Sequence, residues 1–173
     1  MKYLFASDIH GSIDKIEKVI EAFKREEADK LVLLGDTSSS DSNSDNWLIA
    51  EALNKIKNKV EIIRGNCDRY EFEELLEFEI YDIDNLYING KFVTITHGHY
   101  YNMNELPSNC GDIFIQGHTH VPLLEQRGEK IIANPGSVSR PRGVDLRCYI
   151  LIDEENISLK TLEGKLVKTL ALS

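Results

Sequence analysis

The chain has 173 residues, 42% of them hydrophobic and 28% charged, which is long enough to bury a substantial core and ordinary for a globular protein. A net charge of −9 argues against extended nucleic-acid binding, which needs a basic footprint, but it admits a phosphate-bearing substrate if bound divalent cations reverse the local field. Three widely spaced cysteines (Cys67, Cys110, Cys148) make no disulfide framework, the N-terminus is unlike a signal peptide, and no run nears the roughly 20 apolar residues of a membrane span, so a cytoplasmic location is expected.

In chain order, Tyr3–Ala6 is a first short strand. A helix follows with Ile13, Ile16, Val19, Ile20 and Phe23 on one face, and Ser12 stands at its N-cap. Leu31–Leu34 is a second strand, and 38–45 is a polar loop rich in Ser and Asp. A second helix carrying Trp47, Ile49, Ala50, Leu53 and Ile56 leads to a third strand, Val60–Ile63. This alternation predicts parallel strands with helices packed on them, and ligands at their carboxyl ends.

The second half reads differently. Leu86–Ile88 and Phe92–Thr96 flank an Asn89-Gly90 type I′ turn, Ile113–Gln116 is a strand, and Leu123–Gln126 with Lys130–Ala133 forms a hairpin about Arg127-Gly128. Cys148–Ile152, Ile157–Leu162 and Lys165–Leu170 complete a mostly antiparallel set. Two stacked sheets with helices outside accommodate both halves. With no linker or repeat between them, residues 1–173 are read as one domain.

Five polar words interrupt the apolar runs: Asp8-Ile9-His10, Gly35-Asp36, Gly65-Asn66-Cys67-Asp68, Thr96-His97-Gly98-His99 and Gly117-His118-Thr119-His120. They hold all five histidines of the chain. In an extended strand end, residues two apart point to one side, so Asp8 with His10, and His118 with His120, would each face one cation. Asp8, His10, Asp36, Asn66, His97, His118 and His120 are too many donors for one four-coordinate zinc and too rich in nitrogen for calcium or magnesium alone. A shared Asp36 would hold two cations about 3.5–4 Å apart, the spacing used for in-line displacement at phosphorus. Two carboxylates against two divalent cations leave roughly +2, which suits a hydroxide with a diester monoanion better than a monoester dianion.

The ordered set Asp-x-His, Gly-Asp, Gly-Asn-x-Asp, Gly-His and Gly-His-x-His resembles the calcineurin-like metallophosphoesterases. Within them it is similar to the small bacterial and archaeal phosphodiesterases of the YfcE/MJ0936 type. The likeness runs from Phe5-Ala6-Ser7-Asp8-Ile9-His10-Gly11-Ser12 to Asn134-Pro135-Gly136-Ser137-Val138-Ser139. It implies an α/β fold, a four-layer αββα sandwich of two mixed sheets flanked by helices. It also implies that Asp8, His10 and His120 hold one metal, that Asn66, His97 and His118 hold the other, and that Asp36 bridges. Manganese is the leading metal, with zinc, iron, cobalt, nickel and magnesium also compatible. The implied activity is hydrolysis of a small phosphodiester. A phosphomonoesterase, a nucleotide pyrophosphatase and a non-catalytic scaffold on the same fold are the alternatives. No membrane partner is expected, and a homo-oligomer is compatible with the sequence.

The chain departs from the family pattern at two places. The third word usually carries a histidine that protonates the leaving group, and here that residue is Cys67. Cys67 reads as a small filler, as a weak acid near the metals, or as a thiolate ligand. His99, two residues beyond His97, is the substitute acid, or else a hydrogen-bonding neighbour of the metal shell. Ser39 stands where Gly-Asp-x-x-Asp places its last carboxylate. Asp68 is read either as a support of the third word or as an ordinary turn carboxylate. Arg69, Arg140, Arg142 and Arg147 are candidate phosphate contacts outside the site proper.

Overall fold

The computed structural model describes residues 1–41 and 45–172. Residues 42–44 of the expected polar loop lie outside them. The strands are β1 (Tyr3–Ala6), β2 (Lys30–Leu33), β3 (Val60–Ile63), β4 (Ile80–Tyr81), β5 (Ile83–Ile88), β6 (Lys91–Thr96), β7 (Ile113–Ile115), β8 (Pro122–Arg127), β9 (Lys130–Pro135), β10 (Cys148–Ile152), β11 (Asn156–Thr161) and β12 (Leu166–Ala171). The helices are α1 (Ile13–Arg25), α2 (Asn46–Asn54) and α3 (Tyr70–Glu73).

Two mixed sheets stack. The first runs β12-β11-β10-β1-β2-β3-β4 and the second β5-β6-β7-β9-β8. β1 to β4 are parallel, as the strand–helix alternation predicts. The second half is less antiparallel than expected. β6, β7 and β9 run parallel, because the segments between them cross over rather than turn back. β10 pairs antiparallel with β1, so β10–β12 extend the first sheet instead of the second. The β8–β9 turn is centred on Gly128-Glu129, one residue beyond expectation, since Arg127 pairs with Lys130.

Alternation along β1, β2 and β3 buries both faces. Leu4, Ala6, Leu31, Leu33 and Ile62 pack on α1 and α2, while Phe5, Val32, Leu34 and Ile63 meet Val93, Ile95, Ile113 and Ile115 of the second sheet. Each such side chain contributes roughly 1.5–3 kcal/mol when fully buried. Ser12 occupies the N-cap of α1, where its carbonyl accepts from Lys15 N and Ile16 N, but its hydroxyl caps nothing. Trp47 on α2 is 56% exposed, whereas Ile49, Ala50 and Leu53 are buried.

No helix among the described residues covers the outer face of the second sheet. An irregular segment between His99 and Asp112 does so, with Met103 N donating to Gln116 Oε1, Gly111 N to Thr94 Oγ1, and Lys130 Nζ to the carbonyls of Cys110 and Gly111. The five polar words and the Pro135–Ser139 loop all follow the carboxyl ends of parallel strands, β1, β2, β3, β6, β7 and β9. No helix among the described residues is long and apolar enough to cross a membrane.

Candidate metal centre

The backbone of the site leaves its strands in the left-handed region. Asp8, His10, Asp36, His118 and His120 have φ between 49° and 66°. Non-glycine residues there carry strain of order 1 kcal/mol each. Asp8 and His10 do converge, as do His118 and His120, but sharp left-handed turns bring them together and not strand alternation.

Neighbouring loops hold these turns in place. Asp8 N donates to Gly35 O (3.1 Å), His10 N to Asp36 O (2.8 Å) and Gly11 N to Thr37 O (3.1 Å), so the loops after β1 and β2 zip together. The hydroxyls of Ser137 and Ser139 both donate to Asp8 O at 2.8 Å. Asn134 Nδ2 donates to Gly117 O (2.8 Å) and to Thr119 Oγ1 (3.0 Å), steadying the fifth word. The Asn-Pro-Gly-Ser-Val-Ser stretch at 134–139 thus supports the site from outside, and the spacing of its two serine hydroxyls is the sequence signal for that task. A Cβ on Gly117 would lie 1.9 Å from Ser7 Oγ and 2.9 Å from Asp8 Oδ2, so only glycine permits this approach.

All seven expected donors meet. Asp8 Oδ1 lies 3.1 Å from His120 Nε2 and 3.7 Å from His10 Nε2, and the two imidazole nitrogens are 3.2 Å apart. Asp36 Oδ2 lies 3.8 Å from His10 Nε2 and 3.5 Å from His97 Nε2, which places it between two donor groups. His97 Nε2 is 3.1 Å from Asn66 Oδ1 and 3.2 Å from His118 Nδ1.

Tautomers decide what these short contacts mean. His97 Nδ1 faces Leu34 O at 2.7 Å, and His120 Nδ1 faces Arg140 O at 2.8 Å. Each therefore donates from Nδ1 and presents a lone pair at Nε2, the arrangement that orients metal-binding imidazoles. Lone pairs of nitrogen then confront carboxylate and amide oxygens across little more than 3 Å, which is repulsive unless a cation lies between them. Asp8 Oδ1 is buried and accepts no hydrogen bond from the described residues. A buried carboxylate oxygen without a donor, ringed by lone pairs, fits a divalent cation.

The carboxylates and imidazoles of the cluster also shift one another's proton affinity. Burial raises the Asp8 carboxyl, but the His10 and His120 imidazoles outweigh it and hold its pKa well below the usual carboxylate range. Asp36 is likewise lowered, burial being overcome by His97. His120 is raised by Asp8, and His97 is raised by Asp36 against its burial.

Cys67 is half-buried. Its sulfur forms a candidate ligand group with His10 and Asp36, the three ligand atoms lying within 4.8 Å of one another. Burial and the charge of Asp36 push its thiol up to about 11. Its backbone N–H donates to Asp36 Oδ1 at 2.8 Å, a structural task independent of the sulfur. His99 joins none of the candidate ligand groups. Its ring lies 4.0 Å from that of Tyr100 and 5.4 Å from that of His97, and burial followed by His97 and His118 lowers its pKa.

Asp68 is a support and not a simple turn residue. It is buried and accepts from Ser38 N (2.8 Å), Ser38 Oγ (2.8 Å) and Gly65 N (2.9 Å), tying the second word to the third. Arg140 and Arg142 meet His120 through backbone groups, and Arg147 pairs with Asp145.

Two carboxylates, four imidazoles and one amide gathered about Asp36 make a donor set suited to a dinuclear metallohydrolase. The model of the calcineurin-like phosphoesterase superfamily domain matches residues 1–156, and the chain belongs to that superfamily. It is 38% identical to phosphodiesterase YfcE of Escherichia coli K12 over 95% of this chain and 94% of that one. It is 30% identical to phosphodiesterase MJ0936 of Methanocaldococcus jannaschii, covering 79% and 83% of the two chains. The solved structure of Yfce, described as a phosphoesterase from E. coli, matches with a TM-score of 0.92 across the whole of both chains at 34% identity.

Proposed function

We propose that this chain is a metal-dependent phosphodiesterase that uses two divalent cations on small phosphodiesters. Asp8, His10 and His120 hold one cation, Asn66, His97 and His118 hold the other, and Asp36 serves both. The observation that carries this reading is Asp8 Oδ1, buried without a donor among imidazole lone pairs. Names borne by relatives of similar length, phosphodiesterases YfcE and MJ0936, support the diester class.

Bound divalent cations supply acidification of a water and neutralisation of charge on phosphoryl oxygens. The chain fixes the geometry in which this happens. The Cys67 N–H and the turn at Gly65 hold Asp36, the Ser137 and Ser139 hydroxyls hold the Asp8 backbone, and the Leu34 and Arg140 carbonyls set the His97 and His120 tautomers. Asn66 and His118 are the exposed members, on the side from which substrate would enter. Manganese and a cytoplasmic location remain the preferred assignments, and all seven donors being in place disfavours a non-catalytic scaffold.

The test is metal content of the purified protein together with hydrolysis of bis(p-nitrophenyl) phosphate. About two metals per chain and manganese-stimulated hydrolysis are expected. Stoichiometry near zero, with no hydrolysis after manganese is added, overturns the reading.

A further inference from the structure

Trp47 presents an exposed indole at the start of α2. Trp47 lines a cavity of about 310 Å³ together with Ser39, Asn46, Arg69, Phe72 and Leu75. Phe72, only 2% exposed, provides a fixed apolar wall. Ser39 N donates to Asn46 Oδ1 (2.8 Å), and Asn46 Nδ2 donates back to Ser39 O (2.9 Å), so the rim is held before any ligand arrives.

This cavity is bounded by the loops that continue from the second and third words of the metal centre. A Cβ on Gly11, the residue after His10, would lie 2.4 Å from Ser39 Cβ, so the two loops are in direct contact. On the other side Arg69 follows Asp68, the carboxylate that ties Gly65 to Ser38. Arg69 is exposed; its carbonyl accepts from Phe72 N at 3.0 Å, and its guanidinium has no ion pair or hydrogen bond among the described residues.

We propose that this cavity is the subsite for the base of a nucleotide-like phosphoester, with the ring stacked on Trp47 and Arg69 reaching the adjoining phosphate. The inference rests on the phosphodiesterase reading and names the organic group on phosphorus. A solvent-facing Trp beside a buried Phe offers a sequence-tolerant stacking platform, while a guanidinium free of protein partners matches phosphate oxygens. The volume lies at the lower end of small-molecule sites, enough for one ring system.

Trp47 is the only tryptophan in the chain, so its fluorescence reads the contact directly. The manganese-loaded protein is titrated with AMP and with ribose 5-phosphate, which differ only in the base, and both are measured as inhibitors of methyl p-nitrophenyl phosphate hydrolysis. AMP should quench Trp47 emission saturably and inhibit more tightly than ribose 5-phosphate, which should not quench. Trp47→Ala should raise the AMP inhibition constant roughly 5- to 100-fold, the span of base–aromatic stacking. It should leave the ribose 5-phosphate constant and the metal content in place, and Trp47→Phe should restore most of the difference. Arg69→Ala should weaken both ligands.

Equal affinity for AMP and ribose 5-phosphate in the wild type overturns the subsite, as does an AMP constant indifferent to Trp47→Ala. A protein without metal or diesterase activity overturns the reading of function instead, and base-dependent quenching is still measurable in that case.

Discussion

Gly65→Ala should dismantle the metal centre while leaving the fold standing. Gly65 is not in the left-handed region, so alanine is permitted by backbone and the whole effect comes from crowding. A Cβ there would stand 2.1 Å from Asp36 N and 2.2 Å from Asp36 Oδ1. Against ordinary contact near 3.5 Å, the shortfall is more than about 1 Å, and the neighbouring atoms are backbone and a held carboxylate. Overpacking of this kind costs about 1–3 kcal/mol. Displacement also weakens the Cys67 N to Asp36 Oδ1 and Gly65 N to Asp68 Oδ2 hydrogen bonds, adding a comparable amount. A total on the order of 3–5 kcal/mol sits within the usual 5–15 kcal/mol of domain stability, so the variant folds with a Tm lower by about 10–15 °C. An active-site group misplaced by about 1 Å costs about 100-fold in rate. Metal content after desalting, thermal unfolding and kcat on bis(p-nitrophenyl) phosphate are to be compared with those of Gly90→Ala. Gly90 has φ 87° in the β5–β6 turn with nothing within 4 Å of an added Cβ, so it reports backbone strain alone. Two metals and wild-type kcat in Gly65→Ala would refute the reasoning.

Three further expectations follow from the same geometry. Asp36→Asn keeps the bond from Cys67 N but removes the negative charge between His10 and His97, so metal per chain should fall below two and kcat by 100-fold or more; mass spectrometry of desalted protein and steady-state rates decide, and full metal content contradicts the shared role of Asp36. Glu61 on β3 is pushed up to about 7 by burial and by Asp84 on β5. Its folded pKa exceeds the unfolded value, so the folded state binds the extra proton, and stability falls as pH rises from about 4.5 to 7. Partial exposure reduces the penalty above that range to the order of 1 kcal/mol. Glu61→Gln should therefore raise Tm by a few degrees at pH 8 and hardly at pH 4.5, and a larger gain at pH 4.5 reverses the sign and rejects the account. Cys67→His should quicken cleavage of poor alkyl leaving groups relative to aryl ones, because an imidazole would stand where the family places its proton donor; leaving-group dependence identical to wild type removes Cys67 from the explanation.

The sequence disclosed the donors more clearly than their geometry. The seven metal-type side chains stand out because an Asp or His directly after a buried β run is conspicuous chemistry. Left-handed backbone at Asp8, His10, Asp36, His118 and His120 carries no comparable mark, since nothing in those residue types announces a positive φ. Trp47 falls on α2 as its sequence places it, but helical periodicity does not say that its indole is exposed while Ile49, Ala50 and Leu53 are buried. The parallel register of β6, β7 and β9 was hidden because the hairpin turns of β5–β6 and β8–β9 are local, whereas the crossovers between them leave no short signal.

Strain and charge at the site have one common explanation. Five non-glycine residues in left-handed turns and two buried carboxylates facing lone pairs are each unfavourable in isolation. The surrounding structure resists relaxation: the β1 and β2 loops are zipped together, Asp8 O accepts two serine hydroxyls, and Asp68 clasps Ser38 and Gly65. A rigid cradle with an excess of acceptors can be relieved only by something positive entering it. Raised proton affinities at His97 and His120 provide that in part. A divalent cation does so more fully, because it answers several lone pairs at once and needs no rearrangement of backbone. The same rigidity keeps Ser39 against Gly11 and thus fixes the rim of the Trp47 cavity relative to the loop that carries His10. The sparing use of side-chain space at Gly65 and Gly117 is what lets Asp36 and Asp8 sit this close to the neighbouring loops.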